Sequence, residues 1–81
     1  MKICVKLFAT FREIVGEKEV IVEMNEGSTL EDLVMELLDK HPKLRKLKES
    51  MIYSINKEYA EPQRELNDGD EVGILPPISG G

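Results

Sequence analysis

The stretch "STLEDLVMELLDKHP" limits what this chain can fold into more than any other. Leu30, Leu33, Val34, Leu37 and Leu38 recur at i, i+3, i+4, i+7 and i+8, which places them on one stripe of a helix. The start is marked twice. Either Ser28 with Glu31 or Thr29 with Asp32 would close a capping box over the unpaired N–H groups of the first turn. Glu31 and Asp32 also lie where the helix dipole favours negative charge. Pro42 ends the run, because the residue before a proline avoids the helical region. His41 sits at that end. With no second histidine or nearby cysteine it reads as a solvated or capping side chain rather than a ligand. A helix with one dry stripe needs a dry surface to lie on.

The rest of the sequence offers that surface. "KICVKLF" alternates, with Ile3, Val5 and Leu7 on one face and Cys4, Lys6 and Phe8 on the other. "TFREIVG" is short enough for one helical turn and stops at Gly16. "KEVIVEM" alternates again, so a turn at Gly16-Glu17-Lys18 predicts a hairpin between the first two strands. "KLRKLKES" is basic and reads as a short helical turn or loop. "MIYSINKEYA" holds one or two short strands around a turn near Asn56-Lys57, and "EPQREL" is a loop. "NDGD" is a turn in which Gly69 can supply positive φ. "EVGILPP" is a final strand, with Val72 and Ile74 on one face and Gly73 and Leu75 on the other. Pro76 and Pro77 end it because they cannot donate to a ladder. The expected fold is therefore α+β: a roll in which a mixed sheet of four or five strands carries one main helix across it. The first and last strands are expected to be central, adjacent and parallel, since the connection between them is long.

With 81 residues the expectation is one small domain, residues 1–75, followed by a tail, residues 76–81. A core of this size leaves no room for a deep, walled active site. The formal net charge of −5 argues against binding a nucleic-acid backbone and suits a basic protein surface. The single cysteine, Cys4, excludes an internal disulfide and reads as a small strand residue. There is no metal-ligand set. No apolar run is long enough to span a membrane, and Met1-Lys2 leads directly into a strand pattern, so the cytoplasm is the expected compartment.

The tail "PPISGG" is the least fold-like part of the chain. Proline sets a stiff, extended exit, and six extended residues reach ~20 Å. Gly80 and Gly81 present only backbone width, which lets a terminal carboxylate pass along a narrow channel and be held by backbone hydrogen bonds. A bare carboxylate is unreactive. Transfer of AMP from ATP would turn it into a mixed anhydride with a good leaving group, open to a sulfur donor or an amine. The chain has no phosphate-cradling Walker A loop, so the enzyme that activates it must be a separate protein.

The stretches "LFATFREIVG", "STLEDLVMELL", "SINKEYA", "LNDGDEVGILPP" and "PPISGG" together make the chain resemble the small subunit of molybdopterin synthase. That family is the MoaD-type sulfur carrier of the ubiquitin-like β-grasp superfamily. The resemblance covers residues 2–81. It departs from the family near Gly73, where a larger apolar or aromatic residue is usual. It implies that Gly81 is adenylated by an E1-like adenylyltransferase (MoeB-like), with ATP used by that partner and no cofactor bound here. Gly81 then becomes a thiocarboxylate. The tail, threaded through Pro76, Pro77, Ser79 and Gly80, enters the active site of the large subunit (MoaE-like) of a heterotetramer. There the terminal sulfur attacks a pyranopterin precursor. Catalysis belongs to the partner, and this chain is a cosubstrate. Phe8, Leu75 and Tyr59 are expected to form a partner-binding apolar patch beside the tail exit, with Arg12 facing the activating enzyme. Two alternatives share the same early chemistry: a ubiquitin-like modifier joined to target lysines through Gly81, and a thiamine-pathway sulfur carrier.

Overall fold

The structure is a computed structural model that describes residues 1–77. Strand β1 (Lys2–Leu7) alternates as its sequence requires, with Ile3, Val5 and Leu7 buried. It pairs antiparallel with β2 (Glu19–Glu23), setting Ile3 opposite Val22 and Val5 opposite Val20. On its other side β1 runs parallel to the last strand, β5 (Glu71–Leu75), with Val5 opposite Val72 and Leu7 opposite Ile74. β5 pairs antiparallel with β3 (Ile52–Ile55), which pairs antiparallel with β4 (Glu58–Ala60). The order across the sheet is β2-β1-β5-β3-β4. The long connection permits the central parallel pair, because a crossover can join parallel neighbours and a tight turn cannot.

The first two strands are neighbours, as expected of a hairpin, but no tight turn joins them. Helix α1 (Ala9–Val15) occupies the connection. Phe11, Ile14 and Val15 fall at i, i+3 and i+4, and this short stripe packs onto the core with Phe11 fully inside. Gly16 closes the helix in the left-handed conformation, donating its N–H to the carbonyl of Arg12 at 2.8 Å.

The main helix, α2 (Leu30–Lys40), lies on the buried face of the sheet. Leu30, Leu33, Val34, Leu37 and Leu38 are all in the core with Ile3, Val5, Val72 and Ile74. Of the two possible capping boxes the fold uses Thr29 with Asp32. The Asp32 N–H donates to Thr29 Oγ1 at 3.2 Å, and the Thr29 N–H donates to Asp32 Oδ2 at 2.9 Å. Glu31 turns away to meet Lys48 Nζ at 3.2 Å. His41 caps the far end by donating its N–H to the Leu37 carbonyl. The basic segment after Pro42 is a nine-residue 3-10 helix (Pro42–Ser50) with Leu44 buried beneath it. Across the foot of the sheet the buried Asp70 is fully engaged. Its carboxylate accepts from Asn56 Nδ2 at 3.0 Å and from the Asn67 N–H at 2.8 Å. Among the described residues no helix is long and apolar enough to cross a membrane.

Candidate functional site

The sheet has one covered and one open face, and β5 sits in the middle of it. Val72 and Ile74 point into the core and are fully buried. The next residues in line, Glu71, Gly73 and Leu75, point to the open face. Ladder pairing holds β5 on both sides as far as Ile74 and on the β3 side as far as Leu75, so Pro76 and Pro77 leave the fold from an anchored root. Ser79, Gly80 and Gly81 lie outside the described residues.

Just before that exit the open face dips. Strand pairing lines up Lys6, Gly73, Ser54 and Tyr59 in one row across four strands. A hollow of about 310 Å³ forms around Gly73, lined also by Phe8, Leu75, Lys57 and Glu71. It exists because position 73 has no side chain. A Cβ there would fall 2.5 Å from Ser54 Oγ, 3.4 Å from Leu75 Cδ1 and 3.6 Å from Phe8 Cε2. Phe8 is one residue beyond β1 and is the N-cap of α1, and the residue is 42% exposed. The structure thus brings Phe8 and Leu75 to one hollow at the foot of the tail. Tyr59, 72% exposed, shares the face but stands two strands from Gly73 and does not line the hollow. Arg12 lies on the other side of Phe8, in a second concavity with Lys6, Lys18 and Glu19.

The rim carries charge. Lys6 Nζ lies 3.5 Å from Glu71 Oε1, whereas Lys57 has no ion-pair partner among the described residues. Cys4 is half-buried on the same face, with its thiol 3.7 Å from Glu19 Oε2. Partial burial, then the Glu19 carboxylate, push that thiol above its ordinary range. It stays protonated at neutral pH and is a poor nucleophile, in keeping with a plain strand residue. Among the described residues no group of three or more His, Cys, Asp or Glu could hold a metal ion.

Comparison with known proteins decides the family. The ThiS family profile matches residues 5–81. The chain belongs to the ThiS family. Within it, this ThiS-family chain is 41% identical to the molybdopterin synthase sulfur carrier subunit of Chlamydomonas reinhardtii, over the whole of both chains. The likeness to the molybdopterin synthase small subunit, read from the tail and turn motifs, therefore stands. Among solved structures it superposes on a putative molybdopterin converting factor subunit 1 from Pyrococcus furiosus with a TM-score of 0.89. The two are 32% identical, over 96% of this chain and 99% of that one. It also matches the small archaeal modifier protein 1 of Methanosarcina acetivorans, with a TM-score of 0.82 and 33% identity over 99% and 96% of the two chains. The β-grasp architecture expected from the sequence is the one these proteins share.

In this ThiS-family chain the open face also involves residues that sequence reasoning did not single out: Lys6, Ser54, Lys57 and Glu71. Ser54 and Lys57 reach the hollow only through the register of β3 on β5, a tertiary fact. Gly73 did carry a signal. A glycine inside an otherwise alternating strand marks a bulge or a place where something approaches closely.

Proposed function

We propose that this chain is the sulfur-carrying small subunit of a molybdopterin synthase. In this reading the Gly81 carboxylate attacks the α-phosphorus of ATP within an E1-like adenylyltransferase, and pyrophosphate leaves. A sulfide-equivalent donor then displaces AMP from the acyl carbon, leaving a terminal thiocarboxylate. The large subunit receives the tail, and the sulfur passes to a pyranopterin precursor held there. Hydrolysis returns the carboxylate for another round, in the cytoplasm. The chain's own residues supply a rigid root at Pro76 and Pro77, a thin tip at Gly80 and Gly81, and a docking face around Phe8 and Leu75.

One observation carries this reading. The likeness to an algal protein of that name spans both chains in full, and the family match extends through Gly81. The anchored exit of β5 beside the hollow supports it, since docking there holds the tail's root at a set place on the partner.

Intact mass spectrometry of the chain isolated from its source tests the proposal. The expected result is a species heavier by the difference between one sulfur and one oxygen, located at Gly81. An extra residue left permanently after Gly81 is expected to abolish sulfur delivery in a reconstituted synthase, and full activity in that variant would refute the reading. The likeness to an archaeal modifier protein favours a second reading, in which activated Gly81 forms an amide with target lysines. A ladder of higher-mass conjugates, with no sulfur-bearing species, would select it.

A further inference from the structure

Three non-glycine residues among those described adopt positive φ: Ala9 at 51°, Asn56 at 52° and Lys57 at 72°. Left-handed backbone strains an ordinary side chain, and asparagine is the usual exception. Asn56 has local compensation. Its side chain bonds Asp70 and accepts the Glu71 N–H, and its own N–H donates to the Glu71 carbonyl at 2.7 Å. Lys57 has none. It is the second residue of the two-residue turn joining β3 to β4, where glycine is strongly preferred. Ala9 immediately follows Phe8. Lys57 therefore lines the hollow around Gly73, and Ala9 adjoins one of its walls. Gly73 itself has no positive φ, so its glycine supplies room rather than conformation. The chain places a glycine where the backbone does not need one, and a lysine where it would.

We propose that Lys57 is a specificity-determining docking residue: it pairs with a carboxylate on a protruding segment of the large subunit whose neighbouring apolar side chain enters the Gly73 hollow. The inference rests on the sulfur-carrier reading above. Charge complementarity identifies the occupant. The rim holds Lys6, Lys57 and Glu71, and the Lys6–Glu71 pair leaves the Lys57 ammonium unbalanced in a chain of net charge −5. The walls are Phe8 and Leu75, apolar and partly exposed, with Ser54 as a polar floor. A segment with one apolar and one acidic side chain satisfies all of these. A basic or purely apolar segment leaves the ammonium unpaired in a desolvated contact.

The test measures binding of the intact chain to the molybdopterin synthase large subunit of the same organism, at low and high salt. Lys57→Gly suits the turn, so its Tm is expected to be no lower than that of the unmodified chain, and up to ~5 °C higher. Its Kd is nevertheless expected to rise about tenfold at low salt, with a weaker salt dependence. Lys57→Arg keeps the charge and is expected to retain most of the affinity, whereas Lys57→Glu loses more than Lys57→Gly. If the unmodified chain binds and Lys57→Gly matches its affinity and salt dependence, the role of Lys57 is refuted while the carrier reading stands. If the unmodified chain does not bind the large subunit, the carrier reading fails and this inference fails with it.

Discussion

The space at Gly73 is expected to show itself as a change of sign in a two-residue mutant cycle. Replacing Gly73 by alanine puts a methyl group 2.5 Å from Ser54 Oγ, a separation that real side chains do not tolerate. The hydroxyl must leave its rotamer or the strands must shift, at the ~1–3 kcal/mol typical of overpacking. Alanine also removes the conformational freedom that glycine loses in a strand, a gain of roughly 0.5–1 kcal/mol. The clash outweighs that gain, so Gly73→Ala alone is expected to destabilise the fold by about 1 kcal/mol. In a Ser54→Ala background the offending oxygen is gone. The other neighbours, Leu75 Cδ1 at 3.4 Å and Phe8 Cε2 at 3.6 Å, are then ordinary contacts. There Gly73→Ala is expected to stabilise by about 0.5–1 kcal/mol. The coupling, near 1.5–2 kcal/mol, is large for two adjacent residues on an open face. Urea unfolding of the four proteins, followed by circular dichroism, measures it. In thermal melts each kcal/mol appears as ~4–8 °C for a domain of this size. Equal effects of Gly73→Ala in both backgrounds would show that Ser54 Oγ does not define the floor of the hollow.

Three further outcomes follow from the packing and the ionisable groups. Leu33 is fully buried under the sheet, and Leu33→Ala is expected to cost about 2–5 kcal/mol, read as a large drop in the urea midpoint. Thr29→Ala removes the acceptor for the Asp32 N–H and is expected to cost ~1 kcal/mol. Ser28→Ala, outside the capping box, is expected to stay within ~0.5 kcal/mol in the same assay. Tyr53 is buried, with its hydroxyl donating only to Met51 Sδ at 3.8 Å. Burial, and then the Glu31 carboxylate, raise its pKa. Above pH ~10 the unfolded chain therefore releases the phenolic proton before the folded chain does. The unfolded state then binds fewer protons, and stability falls with rising pH. Unfolding at pH 9 and pH 11 is expected to show a shallower decline for Tyr53→Phe than for the unmodified chain.

Features set by neighbours in sequence are legible in the residues alone. The stripe from Leu30 to Leu38, the alternation of Ile3, Val5 and Leu7, and the stops at Gly16, Pro42 and Pro76 each have a local physical cause. The direction of the central pair is only partly legible: a long connection permits β1 and β5 to run parallel, but β3 and β5 are also joined by a long connection and run antiparallel. What escapes depends on contacts between distant residues. Ser28 with Glu31 and Thr29 with Asp32 fit the capping pattern equally well. Lys48, seventeen residues further on, engages Glu31 and leaves Asp32 to close the box. Helix α1 is seven residues long, too short for periodicity to separate a helix from a turn. In the 3-10 helix one buried leucine, Leu44, sits among five basic residues from Lys40 to Lys48, so its dry side is hidden in the composition. Lys57 reads simply as part of a turn. Its backbone strain emerges only once the register of β3 on β4 fixes the loop at two residues.

In the proposed carrier reading, the working end and the docking face are separate and still act together. β5 is held by β1 on one side and β3 on the other, and its buried residues sit at the centre of the core. Leu75 is both the last paired residue of that strand and a wall of the hollow. A partner seated on the hollow therefore fixes the root of the tail at the same moment. From Leu75 to Gly81 the chain can reach at most ~20 Å. An acceptor site farther than that from the seated surface cannot be served, and a nearer one is met by a carboxylate whose origin no longer wanders. Fixing one end of so short a tether raises the effective concentration of the other end, without any contact to the reacting group itself. In that reading the packed core serves chemistry it never touches, by holding a single strand end still.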